Sequence, residues 1–124
     1  MISKVALKEE VLKLAAEKPD FIYESDPNAL EPCAYLAWDK DEARGSCIMG
    51  QALMNLGVNP LELSKYEGAD IAAVVEILNG GEEPQYHKDK FDFWFSYVQG
   101  RQDNGDTWST AVEYADDMVR HLND

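Results

Sequence analysis

The stretch Gln99-Gly100-Arg101-Gln102-Asp103-Asn104-Gly105-Asp106-Thr107-Trp108 decides the fold. Before it, Phe91, Trp94, Phe95 and Val98 repeat at the spacing of one helical face. After it, Trp108, Ala111, Val112, Ala115, Met118, Val119 and Leu122 form the clearest helical stripe in the chain. Only Gln102 to Asp106 separates the two, a connection short enough to fold them back as an antiparallel helical hairpin. Gly105 supplies the positive φ such a turn needs, and Asp106 is the expected cap of the last helix.

Working back toward the amino end, the same logic yields further helices. Asn79, Gly80 and Gly81 end a segment carrying Ile71, Val74, Val75 and Leu78. Asn59, Pro60 and Glu62 open a short helix running to about Tyr66. Ser46 is placed to cap a helix with Ile48, Met49, Ala52, Leu53 and Leu56 on one side, terminated by Gly57. Ser3 caps a first helix with Leu7, Val11, Leu14 and Ala15 inward, stopped by Pro19. The fifth helix is expected from about Lys88. Phe21–Glu24 and Cys33–Trp38 are short aromatic and β-branched runs, which predict a small β-ribbon near residues 21–38. Asp39 to Arg44 is a charged connection. The expected architecture is mainly α: one compact domain over 1–124, of about five or six helices with a small ribbon.

Composition agrees. The 124 residues, 45% hydrophobic and 28% charged, are apolar enough to fold, and two cores of about sixty residues each would both be marginal. No apolar run approaches the roughly 18 residues that span a bilayer. Charge falls early, in Met1 to Glu10, where a secretory signal would be apolar, so a cytoplasmic location is expected. Asp and Glu number 24 against 11 Lys and Arg, for a net charge of −13. Such a field repels phosphate backbones and anionic membranes, so neither nucleic acid nor membrane is an expected direct partner. Residues 1 to 20 sum to zero, so the whole excess lies after Phe21. An acidic exterior attracts a basic protein, imitates DNA in the extreme, or simply keeps the chain soluble.

Side chains that could carry chemistry are few. Cys33 and Cys47 are the only cysteines, and His87 and His121 do not stand at zinc-finger spacing from them. Cys47, in the first turn of a helix, is where any thiol chemistry would sit, although a small buried hydrophobe is its commoner role. Asp103, Asn104 and Asp106 cluster oxygens around Gly105, but the spacing fails that of a calcium loop. The chain contains no glycine-rich phosphate loop, serine elbow or metalloprotease helix. No catalytic, metal or cofactor residues are therefore assigned. Phe93 and Tyr97, four apart and off the apolar centre line, form either an exposed partner-binding patch or part of a buried helix.

Several separated pieces resemble a pattern found in small uncharacterised accessory proteins of actinobacterial phages. They are Cys33-x-Tyr35, Gly45-Ser46-Cys47-Ile48-x-Gly50-x-x-Leu53-x-x-Leu56-Gly57, Glu67-Gly68, and Gln99-x-x-Gln102-Asp103-x-Gly105-x-x-Trp108-x-x-Ala111-Val112. The resemblance implies an accessory protein acting in the host bacterial cytoplasm, and it assigns no activity. It marks Cys33, Cys47, Gln99, Gln102, Asp103 and Trp108 as a functional or structural cluster. The expected function is a non-enzymatic factor that binds and modulates a host protein, basic in its chemistry, through an acidic surface. The alternatives are a DNA mimic that inhibits a nucleic-acid-binding enzyme, and a thiol enzyme or redox sensor at Cys47.

Overall fold

A computed structural model describes residues 2–24, 34–81 and 89–122. Its elements are α1 (Lys4–Glu17), β1 (Leu36–Asp39), β2 (Glu42–Gly45), α2 (Ile48–Asn55), α3 (Pro60–Leu63), α4 (Ile71–Leu78), α5 (Lys90–Asp103) and α6 (Trp108–Arg120), with a 3₁₀ turn over Ser64–Tyr66. The fold is the expected one, a helical bundle with a small antiparallel ribbon. α5 and α6 form the hairpin predicted from the turn, with Gly105 at φ +93°. Trp94, Phe95, Val98, Trp108, Ala111 and Ala115 are buried between them and the other helices. Leu7, Val11, Leu14 and Ala15 of α1 join the same core with Ile48, Met49, Ala52 and Leu53 of α2.

The ribbon lies further along the chain than its residue types suggested. β1 overlaps the expected Cys33–Trp38 run, but it pairs with Glu42–Gly45, in the register Leu36 to Gly45 and Asp39 to Glu42. Lys40, at φ +58°, turns the corner. Phe21–Glu24 serves α6 instead. Ile22 bridges Thr107, and the amides of Trp108 and Ser109 donate to the carbonyls of Phe21 and Pro19 at 3.0 Å each. The Phe21 ring packs 4.5 Å from that of Trp108. The segment read as a strand, together with Pro19 just before it, therefore satisfies two of the free amides that open a helix.

Cap positions shift by one residue in two places. Cys47 caps α2, its thiol accepting from the Gly50 amide, where Ser46 was expected. Thr107 caps α6 by accepting from the Thr110 amide, which frees Asp106 to pair with Arg101. Ser3, Asn59 and Gly57 hold the positions expected of them. α5 begins at Lys90, capped by Asp89; Lys88 lies outside the described residues.

The amino end is fastened twice. Asn79 grips the backbone of Ile2, accepting from its amide at 2.6 Å and donating to its carbonyl at 3.0 Å. Lys4 reaches the first turn of α5, 3.0 Å from Asp89 and 3.1 Å from the buried Asp92.

Candidate functional site

The residues singled out by pattern converge on the side of α5 that faces α2 and α4. Gln99 and Gln102 lie three apart, so both amides project from one face of the helix. Each satisfies the first amide of a different helix, beside that helix's own cap. The Gln102 Oε1 accepts from the Ile48 amide at 2.7 Å, at the start of α2, and from the Trp108 Nε1 at 3.2 Å. The Gln99 Oε1 accepts from the Ile71 amide at 2.9 Å, at the start of α4. The amide nitrogens are engaged as well: Gln102 donates to Asp103 at 2.9 Å and Gln99 to the Tyr35 hydroxyl at 3.0 Å. Tyr35 in turn donates to the Ala69 carbonyl.

This network extends to the ribbon. The Glu67 carboxylate accepts from the Tyr35 amide at 2.7 Å and the Leu36 amide at 3.4 Å. The carbonyls of Tyr35 and Ala34 accept from Ser46 and Cys47. Gly50 completes the join, because a Cβ there would stand 1.8 Å from the Tyr35 carbonyl oxygen. Pattern residues from four parts of the chain thus hold one hydrogen-bonded junction among α2, α4, α5 and the ribbon. Among the described residues, no buried side-chain nitrogen or oxygen lacks a partner. The junction ties these elements together through hydrogen bonds.

The individual candidates follow from this. Gln99, Gln102 and Trp108 are brought together, and Asp103 sits at their exposed edge. Cys47 belongs to the junction as a fully buried cap. Cys33 and His87 lie outside the described residues, and His121 is exposed at the end of α6. Among the described residues, no group of three or more His, Cys, Asp or Glu could hold a metal ion. A groove of about 380 Å³ between Phe21–Glu24 and the ribbon presents Glu24, Arg44, Ser46 and Gln51, with no thiol or imidazole in its lining.

Phe93 and Tyr97 occupy a different surface. They are half-buried and stack at 6.3 Å between ring centres on the outer side of α5. Tyr114 of α6 meets Tyr97 edge-on at 6.0 Å, and the Arg101 guanidinium lies 4.9 Å from the centre of the Tyr114 ring. Tyr114 is 38% exposed, and the exposed carboxylates Glu113 and Asp117, one helical turn apart, run beside it. The result is a row of aromatic side chains on an acidic exterior. Tyr114 and Arg101 were not among the residues expected at this surface. Their signal was the turn itself, since an antiparallel hairpin bent at Gly105 sets residues near 97 and 101 against residues near 114 and 110.

Two regions therefore divide the chain's notable residues, a buried junction whose polar side chains are hydrogen-bonded and a partly exposed aromatic row bordered by acids. Neither a family model, nor a curated protein, nor a solved structure matches this chain.

Proposed function

We propose that this is a non-enzymatic accessory protein, of the kind its spaced residues resemble in actinobacterial phages. It docks on a basic host protein through the α5–α6 face. One observation carries the proposal: the Phe93, Tyr97 and Tyr114 row, partly exposed and flanked by Glu113 and Asp117 on a chain of net charge −13. Rings held by their neighbours lose little freedom on binding and offer large contact areas, which is why aromatic side chains anchor interfaces. The carboxylates beside them steer and select a positively charged surface. The thiol and the side-chain amides of the pattern are engaged elsewhere: Cys47 is buried as a cap, and Gln99 and Gln102 each hold a helix start.

The test is capture from bacterial lysate with the immobilised protein and with a Phe93→Ser, Tyr97→Ser double variant, at low and moderate salt. A partner retained by the parent protein, lost by the variant and weakened by salt supports docking at this face. Recovery of nothing reproducible, or equal recovery by both proteins, overturns it.

A further inference from the structure

The aromatic row already binds a cation, and that cation belongs to the chain itself. Arg101 lies over the Tyr114 ring at 4.9 Å while its Nε is held 2.6 Å from Asp106. A guanidinium between a ring face and a carboxylate is the arrangement that selects arginine over lysine, because the planar group stacks and forks where an ammonium does neither. Tyr97 stands 6.0 Å from Tyr114, and Phe93 braces it from the other side at 6.3 Å. Side chains on successive turns of a helix are separated by about the same distance. Glu113 and Asp117, both exposed on α6, supply further carboxylates beside the rings.

We infer that the partner segment, on the docking reading above, is a helix bearing arginines four residues apart, one for Tyr97 and one for Tyr114. Arg101 is an internal stand-in for the second of these. It covers Tyr114 in the free protein and gives way when the partner arrives. The free protein is thereby partly self-blocked, and the strength of binding depends on how readily Arg101 leaves its ring. Arg101 is 39% exposed at its side chain and is held there by Asp106 and the Tyr114 ring, contacts that a solvated side chain can exchange.

The experiment uses the full chain and two alanine-based helical peptides, one with arginine and one with lysine at the same positions four apart. Titrations at low salt are expected to favour the arginine peptide at least two-fold. Tyr97→Leu lowers its affinity about two- to five-fold, the loss of one exposed cation–ring contact. Arg101→Gln raises the affinity by a similar factor. Arg101→Lys, which keeps a charge for Asp106 but not a planar group for the ring, also raises it. The same two variants are followed by thermal unfolding, so that a loosened hairpin is recognised as such. Equal binding of the two peptides overturns the arginine assignment. An Arg101→Gln or Arg101→Lys protein of parental stability that binds no better overturns the stand-in. If a host protein is still captured in a Tyr97-dependent manner, these failures leave docking at this face standing. If capture ignores Tyr97, docking falls first.

Discussion

Gln102 is completely buried, and its single oxygen serves two donors from two different elements. Gln99 is nearly as buried, yet the hydroxyl it meets has another partner in the Ala69 carbonyl. The difference sets the order of damage when each is replaced by leucine. Gln102→Leu strands the Ile48 amide and the Trp108 indole nitrogen, at about 1–3 kcal/mol for each orphaned donor. Gln99→Leu strands the Ile71 amide. Urea unfolding is therefore expected to show a loss of about 2–6 kcal/mol for the first and about 1–3 kcal/mol for the second. Equal losses would mean that the indole bond contributes nothing. Neither change should alter binding to an arginine peptide, because both residues face away from the aromatic row.

At the scale of elements, the first turn of α1 is tied to the first turn of α5 through Lys4, Asp89 and Asp92. Burial alone would lower the Lys4 pKa, but its bonds to Asp89 and Asp92 outweigh that and raise it. Burial likewise pushes Asp89 up, and the bonds from Lys4 and from the Asp92 amide bring it below the ordinary carboxylate value. A raised lysine stabilises the fold below its unfolded pKa of about 10.4, and that contribution is lost as pH rises through the higher folded value. A lowered aspartate stabilises above about 3.9, and its contribution is lost as pH falls through the lower folded value. The clasp is thus fully present between about pH 4 and 10 and fails at both ends. Lys4→Met leaves the 2%-exposed Asp92 without its lysine. The cost is about 2 kcal/mol at neutral pH, reduced from that of a fully buried pair because Lys4 is partly solvated. The difference between parent and variant, followed by denaturation across pH, should shrink toward both extremes. A pH-independent difference would mean that packing of the lysine stem, and not its charge, holds the junction. Lys4 and Asp89 stand 85 residues apart and nothing in their local sequence links them, whereas the helices they open were legible. Helical spacing of apolar residues is a local property, and so are glycine and proline stops. β2 was missed for the same reason. Glu42 and Arg44 are exposed and alternate with Ala43 and Gly45, but these are too small and too little buried to give an apolar signal, and Lys40 turns at positive φ without being glycine. Thr107 over Asp106 was a choice between adjacent capping residues, settled by the pull of Arg101 on the aspartate. The pattern residues were visible as a set, but their role was not, because each partner comes from a distant element.

For the molecule as a whole, the accessible surface of 7185 Å² is close to the roughly 6,700 Å² of a compact monomer of its mass. A compact chain of this length packs the net charge of −13 within a radius of gyration of about 14 Å. At 0.01 M salt the screening length is about 30 Å, so every carboxylate opposes every other; at 0.15 M it is about 8 Å, and only neighbours interact. The described ion pairs are few, and those away from Asp92 are mostly solvated, so each contributes little to the total. Repulsion should therefore dominate the salt response of the fold. Raising the salt across this range is expected to stabilise the protein by about 1 kcal/mol, a rise in Tm of about 3–5 °C. Capture of an arginine-bearing helix should move the opposite way, because the same screening removes the attraction that brings it to Glu113 and Asp117. Thermal unfolding and peptide titration in the same buffers test both slopes together. A Tm that falls with salt would show that local pairs outweigh the summed field. Binding that strengthens with salt would make the aromatic row a purely apolar contact, and the acids around it no more than a solubilising coat.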